Sequence, residues 1–163
     1  MRKVPLGTTI AYGMPGLGAG YMYLLMSLYV MKFSTDVLLI APAVMGVIFS
    51  ISRIWDAVSD PIAGYLSDRT TFKFGRRRTW MLISFIPISF GFLAVFSPPE
   101  SMQGQSLDLW MMIAILSFYS AITLLNVPHM ALGAELSEDY HERTRLFGVR
   151  PVSYTHLTLP TKA

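Results

Sequence analysis

Cysteine is absent from the 163 residues, which excludes a disulfide framework, a thiolate metal centre and a cysteine nucleophile. Charge is nearly as scarce: Asp, Glu, Lys and Arg make up 14% of the chain, against ~25% in soluble domains. The net charge of +3 is too small for a dedicated nucleic-acid binder. No Gly-x-Ser-x-Gly or His-Glu-x-x-His pattern occurs, so the chain does not read as an enzyme, and no transition-metal site or cofactor is expected. What is abundant is apolar surface, at 53% of residues. A bilayer-crossing helix needs ~20 predominantly apolar residues, and four such stretches use more than half the chain. The composition points to an all-α protein of the lipid bilayer.

The first span is expected over about 10–31, a run with no charged residue. It lacks the short apolar core and small-residue cleavage site of a secretory signal. The second, about 37–66, follows Ser34-Thr35-Asp36, residue types that cap helix N-termini. The third covers about 80–97 and is stopped by Pro98-Pro99; the fourth covers about 109–133 and contains Asn126, Pro128 and His129. With the N-terminus in the cytoplasm, Arg2, Lys3, Arg69, Lys73, Arg76, Arg77, Arg78, Arg143, Arg145 and Arg150 all fall on the cytoplasmic side. Lys32 alone falls in the opposite loops. That bias sets the expected topology.

The second span is unusual because Arg53, Asp56 and Asp60 lie inside it. Each ionisable group near a bilayer centre costs ~2.5–3.5 kcal/mol on insertion scales. At ~100° per residue all three share an arc of about 60°, with Ser59 close by. Oxygen ligands and negative charge suit a hard cation, and the same pair could share a proton. Pro61 removes a backbone donor beside the site. A purely structural ion pair is the alternative, but Arg53 can neutralise only one of the two carboxylates.

In the fourth span Thr123 and Asn126 are three residues apart, with His129 three further on. They form either one wall of a polar cavity or a set of interhelical hydrogen bonds, worth ~0.6 kcal/mol each. Asn126-Val127-Pro128 marks an expected break or kink. Gly13, Gly16, Gly18 and Gly20 of the first span lack the strand and acidic residue of a dinucleotide loop. Gly16-x-x-x-Gly20 reads instead as a close helix-packing face.

Between spans two and three runs Gly64-Tyr65-Leu66-Ser67-Asp68-Arg69, followed by Gly75-Arg76-Arg77-Arg78. This stretch resembles the Gly-x-Leu-x-Asp-Arg…Gly-Arg loop of the major facilitator superfamily. The match is closer to its glycoside–pentoside–hexuronide:cation symporters, the melibiose permease group. The further carriers are Ser34-Thr35-Asp36, the string Arg53-Ile54-Trp55-Asp56-Ala57-Val58-Ser59-Asp60-Pro61, and Glu142-Arg143-Thr144-Arg145. The resemblance covers residues 1–150, about a third of a family member. It implies the N-terminal four transmembrane helices of a twelve-helix fold, truncated before helix five, with the C-terminal half of the transporter as the missing partner.

The resemblance also implies roles. Asp56 and Asp60 match the family's cation-binding carboxylates, and Thr123 matches a helix-four hydroxyl ligand. Ser59 stands where sodium-using relatives often have Asn. Arg53 matches a cavity arginine, and Arg150 a helix-five arginine near the second aspartate. Gly64, Asp68, Arg69, Gly75, Arg76 and Arg77 belong to the cytoplasmic gating loop. Gly20 and Asn126 occupy positions where melibiose permease has galactoside-binding aspartates, so the substrate differs there.

The expected function is a symporter of the plasma or inner membrane, coupling Na+ or H+ to uptake of a small hydrophilic, glycoside-like solute. A lysolipid or amphiphile carrier on the same scaffold, or a membrane fragment with no transport role, are the alternatives. Residues 151–163, Thr-rich and bounded by Pro151 and Pro160, resemble a translated sequencing-adaptor tail and are set apart from the fold.

Overall fold

The computed structural model describes residues 5–72 and 75–136. Four helices account for most of them: α1 (Leu6–Lys32), α2 (Pro42–Arg69), α3 (Arg76–Phe96) and α4 (Gln105–Leu136). Each is long enough to cross a bilayer. By length and composition alone, α3 and Gln105–Glu135 of α4 meet that test, with mean hydropathies of 1.9 and 1.7. α1 is rich in Gly and Tyr, and α2 carries the charged face. The segments assigned to the tail, Arg143, Arg145 and Arg150, as well as Arg2, Lys3 and Lys73, lie outside the described residues.

Helix boundaries depart from expectation most at the start of α2. Ser34-Thr35-Asp36 does not cap it. Those residues continue α1 as a π-helical turn, Phe33–Val37, in which the Thr35 hydroxyl donates to the Met31 carbonyl at 3.0 Å. Short hydroxyl side chains satisfy local carbonyls as readily as they cap, and here the preceding turn wins. Leu39 follows with φ +57°, a left-handed geometry rare for a leucine. Ala41 is extended, as a residue before proline prefers, and Pro42 opens α2 where its missing N–H costs nothing. At the other end of the loop after α2, Gly75 adopts φ +99° before α3, which then starts four residues earlier than its apolar run.

Packing divides the chain into two units, Met1–Leu24 with Met130–Ala163, and Leu25–His129. In the first, Gly13, Gly16, Ala19 and Gly20 are buried while Gly18 is exposed, consistent with a small-residue packing face on α1. In the second, α3 and α4 meet closely. A Cβ at Gly91 would stand 2.9 Å from the Phe118 Cα, so only glycine admits the α4 backbone there. Around that contact Phe118, Met111, Ile115, Leu125, Ile88 and Val95 are fully buried. Phe92 stacks at 4.9 Å on Phe96 and 6.1 Å from Phe118, and Phe96 lies 5.3 Å from Phe33. Trp110 donates its indole N–H to the Ala94 carbonyl at 2.9 Å, pinning the α3–α4 pair near its loop. Prolines 15, 61, 87 and 128 all lie inside helices that run through them, so Pro128 does not break α4.

On their outward faces α2 and α3 carry exposed apolar side chains. Ile54, Ile86 and Phe90 are each 65–70% exposed. Water would penalise such a surface at ~25 cal/mol per Å², whereas acyl chains do not.

Candidate functional site

The charged face of α2 packs against one face of α4, and three successive polar contacts join them. Arg53 places its Cζ 5.1 Å from the centre of the Tyr119 ring. Trp55 donates its indole N–H to the Ser120 hydroxyl at 2.7 Å, and that hydroxyl donates on to the Leu116 carbonyl. Thr123, buried on α4, donates to Oδ1 of Asp60 at 3.0 Å. One turn below, a Cβ on Gly64 would touch Val127 of α4 at 3.7 Å. The helical period explains the pattern: Arg53, Asp56, Asp60 and Gly64 fall on one stripe of α2, and residues 119, 120, 123 and 127 on one stripe of α4.

The two aspartates have different environments. Asp56 is bound at Oδ2 by Nη1 of Arg53, one turn before it, at 3.2 Å. Its Oδ1 is buried and has no hydrogen-bond partner among the described residues. A buried carboxylate oxygen left unpaired is costly in free energy. Asp60 is exposed and is held by the neutral Thr123 hydroxyl. Among the described residues, one guanidinium stands against two carboxylates on this face. The ion pair expected of Arg53 is present, and it ties off one oxygen of one acid.

Ser59 is half-buried and turns its hydroxyl back to the Asp56 carbonyl at 3.4 Å, within its own helix. Asn126 is half-buried and His129 fully buried on α4. Gly20 is buried in α1, in the other packing unit. Among the described residues no group of three or more His, Cys, Asp or Glu is arranged to hold a metal ion. Tyr119, Ser120 and Trp55 were missed by sequence reasoning; a stripe drawn on α4 through Thr123 at steps of three and four would have reached the first two.

At the loop end of α2, Asp68 accepts from Nη2 of Arg77 on α3 at 3.2 Å. Its backbone carbonyl accepts from Arg76 at 3.4 Å. Arg69 lies over the Tyr65 ring of its own helix at 4.7 Å. Trp80 donates to the Thr70 hydroxyl at 3.0 Å, and Thr70 donates to the Leu66 carbonyl at 2.6 Å. The loop is therefore a web between the end of α2 and the first turn of α3, with Gly75 supplying the reversal. Arg150 lies outside the described residues.

Comparison with known proteins covers most of the chain. The family described as MFS/sugar transport protein matches residues 11–159, a match that runs into the segment set apart above. The uncharacterized symporter sll1374 of Synechocystis is 36% identical over 153 residues, 91% of this chain and 28% of that protein. The inner membrane symporter YicJ of Escherichia coli is 34% identical over 84% of this chain and 30% of its own length. The candidate glycoside/cation symporter YagG of the same organism is 31% identical over 90% and 32%. The chain thus spans about a third of the length of these relatives.

Proposed function

The chain belongs to the MFS/sugar transport protein family, and from that membership we propose that it forms the N-terminal part of a cation-coupled secondary transporter for a sugar or glycoside-like solute. It is an integral membrane protein. The observation that carries the reading is the buried Oδ1 of Asp56, unpartnered among the described residues, beside an Asp60 that accepts from the neutral Thr123 hydroxyl. The names of the relatives, symporters and one glycoside/cation symporter, support the same class.

In this mechanism a sodium ion or proton enters the negative face of α2. Asp56 and Asp60 provide charge and oxygen atoms, and Thr123 adds a hydroxyl oxygen. Ser59, its hydroxyl turned to its own helix, contributes by rotating away from the Asp56 carbonyl. Cation binding removes the net charge and lets α2 and α4 close on each other. The closed arrangement binds solute more tightly, so coupling arises from the differential stability of two conformations and no covalent step is needed. Arg53 and Asn126 supply donors and acceptors to a hydroxyl-rich solute. Asn126 brings no carboxylate to it, which disfavours a galactoside. The Asp68–Arg77 web latches the cytoplasmic side, with the N-terminus also cytoplasmic in a cell or inner membrane. A C-terminal half supplies the facing wall of the cavity, as in transporters that rock two bundles around a mid-membrane site.

The test is uptake of radiolabelled methyl glycosides into proteoliposomes carrying the full-length protein, with a sodium or proton gradient imposed. Gradient acceleration is expected in the unaltered protein and lost in Asp56→Asn and Asp60→Asn. Undiminished acceleration in Asp60→Asn would remove the site.

A further inference from the structure

We propose that Tyr119 is a positioning residue: its ring holds the Arg53 guanidinium on one oxygen of Asp56 and so leaves the other oxygen open to the coupling cation. The inference rests on the transport reading above and deepens it.

The Arg53 Cζ is 5.1 Å from the Tyr119 ring centre while Nη1 is 3.2 Å from Asp56 Oδ2, so one guanidinium is shared between a π face and a carboxylate. The ring is the fixed partner. Tyr119 is 4% exposed, set at 72° and 5.8 Å against the buried Phe118, and its neighbour Ser120 is bound to Trp55 of α2 at 2.7 Å. Arg53 is the adaptable one, with a side chain 56% exposed and several rotamers open to a stem of that length. A π face attracts a guanidinium and selects among those rotamers.

The consequence is a count of available oxygens. A guanidinium is a planar fork that grips both oxygens of a carboxylate when nothing restrains it. Asp56 and Asp60 both share its arc of the helix, at steps of three and seven. Removing the aromatic face lets Arg53 settle bidentately on Asp56 or lean towards Asp60, and either move takes up oxygens that the cation needs. With the ring in place the engagement is through one oxygen, and Asp56 Oδ1 remains unpartnered. Tyr119 therefore sets cation affinity without touching the cation.

The experiment compares the full-length protein with Tyr119→Leu, which removes the π face, and Tyr119→Phe, which keeps it. Sodium- or proton-driven uptake into proteoliposomes gives the cation concentration for half-maximal rate and, at saturating cation, the solute KM. Tyr119→Leu is expected to raise the half-maximal cation concentration about fivefold or more, and Tyr119→Phe to leave it within about twofold. At saturating cation the ion itself occupies the Asp56 oxygens and Arg53 is held off them, so solute KM shifts by less than the half-maximal cation concentration does. In an Arg53→Gln background, read by sodium calorimetry on purified protein if transport is lost, the Leu substitution has no further effect. Tyr119→Met, flexible and also without a π face, replaces Leu if that variant fails to reach the membrane. Equal cation dependence in all three proteins, or a Leu effect that persists in full without Arg53, overturns the role of Tyr119 and leaves the transport reading standing. An unaltered protein that responds to neither gradient overturns both.

Discussion

Thr123 on α4 donates its hydroxyl hydrogen to Asp60 on α2 across 3.0 Å, joining residues 63 positions apart. The donor is neutral, so the bond orients the carboxylate without cancelling its charge. Asp56, by contrast, is engaged by a cation. Two acids one turn apart are thus prepared differently, one partly balanced and one only aimed.

Thr123→Val keeps the shape of the side chain and removes the donor. A hydrogen bond to a charged group contributes ~1.5–3 kcal/mol, so the cation concentration for half-maximal uptake should rise by about tenfold or more in the full-length protein. Thr123→Ser should stay close to the unaltered value. Equal behaviour of Val and Thr would mean the bond does nothing for the site.

At Gly91 the backbone of α4 comes close to α3, with a Cβ position 2.9 Å from backbone at Phe118. Gly91→Ala should cost about 1–3 kcal/mol, because backbone cannot step aside as a flexible side chain can. A lower thermal midpoint in detergent is the expected result; an unchanged midpoint would show that α3 and α4 separate freely at this point.

The Asp68–Arg77 pair joins a side chain 57% exposed to one 12% exposed. Asp68→Asn should lower stability by only about 0.5–1 kcal/mol, since the Asp68 carboxylate is largely exposed to water. Exchanging the two charges, as Asp68→Arg with Arg77→Asp, should recover most of any loss in thermal midpoint. Failure of the exchange to recover it would mean that the ion pair does not account for the loss.

The absence of cysteine makes topology directly measurable. Ser101→Cys, between α3 and α4, should react with a membrane-impermeant maleimide in intact cells. Thr71→Cys, between α2 and α3, should react only after permeabilisation. The reverse pattern would invert the orientation inferred from the basic loops.

The helices were legible in the sequence because lipid-facing spans are long and apolar, and the interruptions at Pro98-Pro99 and Gly75 are local. Their ends were less so. Arg76–Arg78 read as loop yet begin α3, since long basic side chains reach the headgroup region from a helix that starts inside it. Ser34–Asp36 read as a cap yet extend α1, because the same side-chain oxygens serve either neighbour. In the site, the Arg53–Asp56 pair follows from a step of three along one helix. The Thr123–Asp60 bond needed the family resemblance, because period shows which residues share a face but not which faces meet. Tyr119 escaped for the same reason, its value lying wholly in what stands opposite.

Each of the four helices carries one interior proline, at 15, 61, 87 and 128. A proline cannot donate to the carbonyl four residues earlier, so each helix is missing one rung partway along its length. Curvature is cheapest at such a place. Each helix can bow at a fixed point, and the weak point of α2 sits immediately after Asp60, where a change in local charge would be felt as a change in bend.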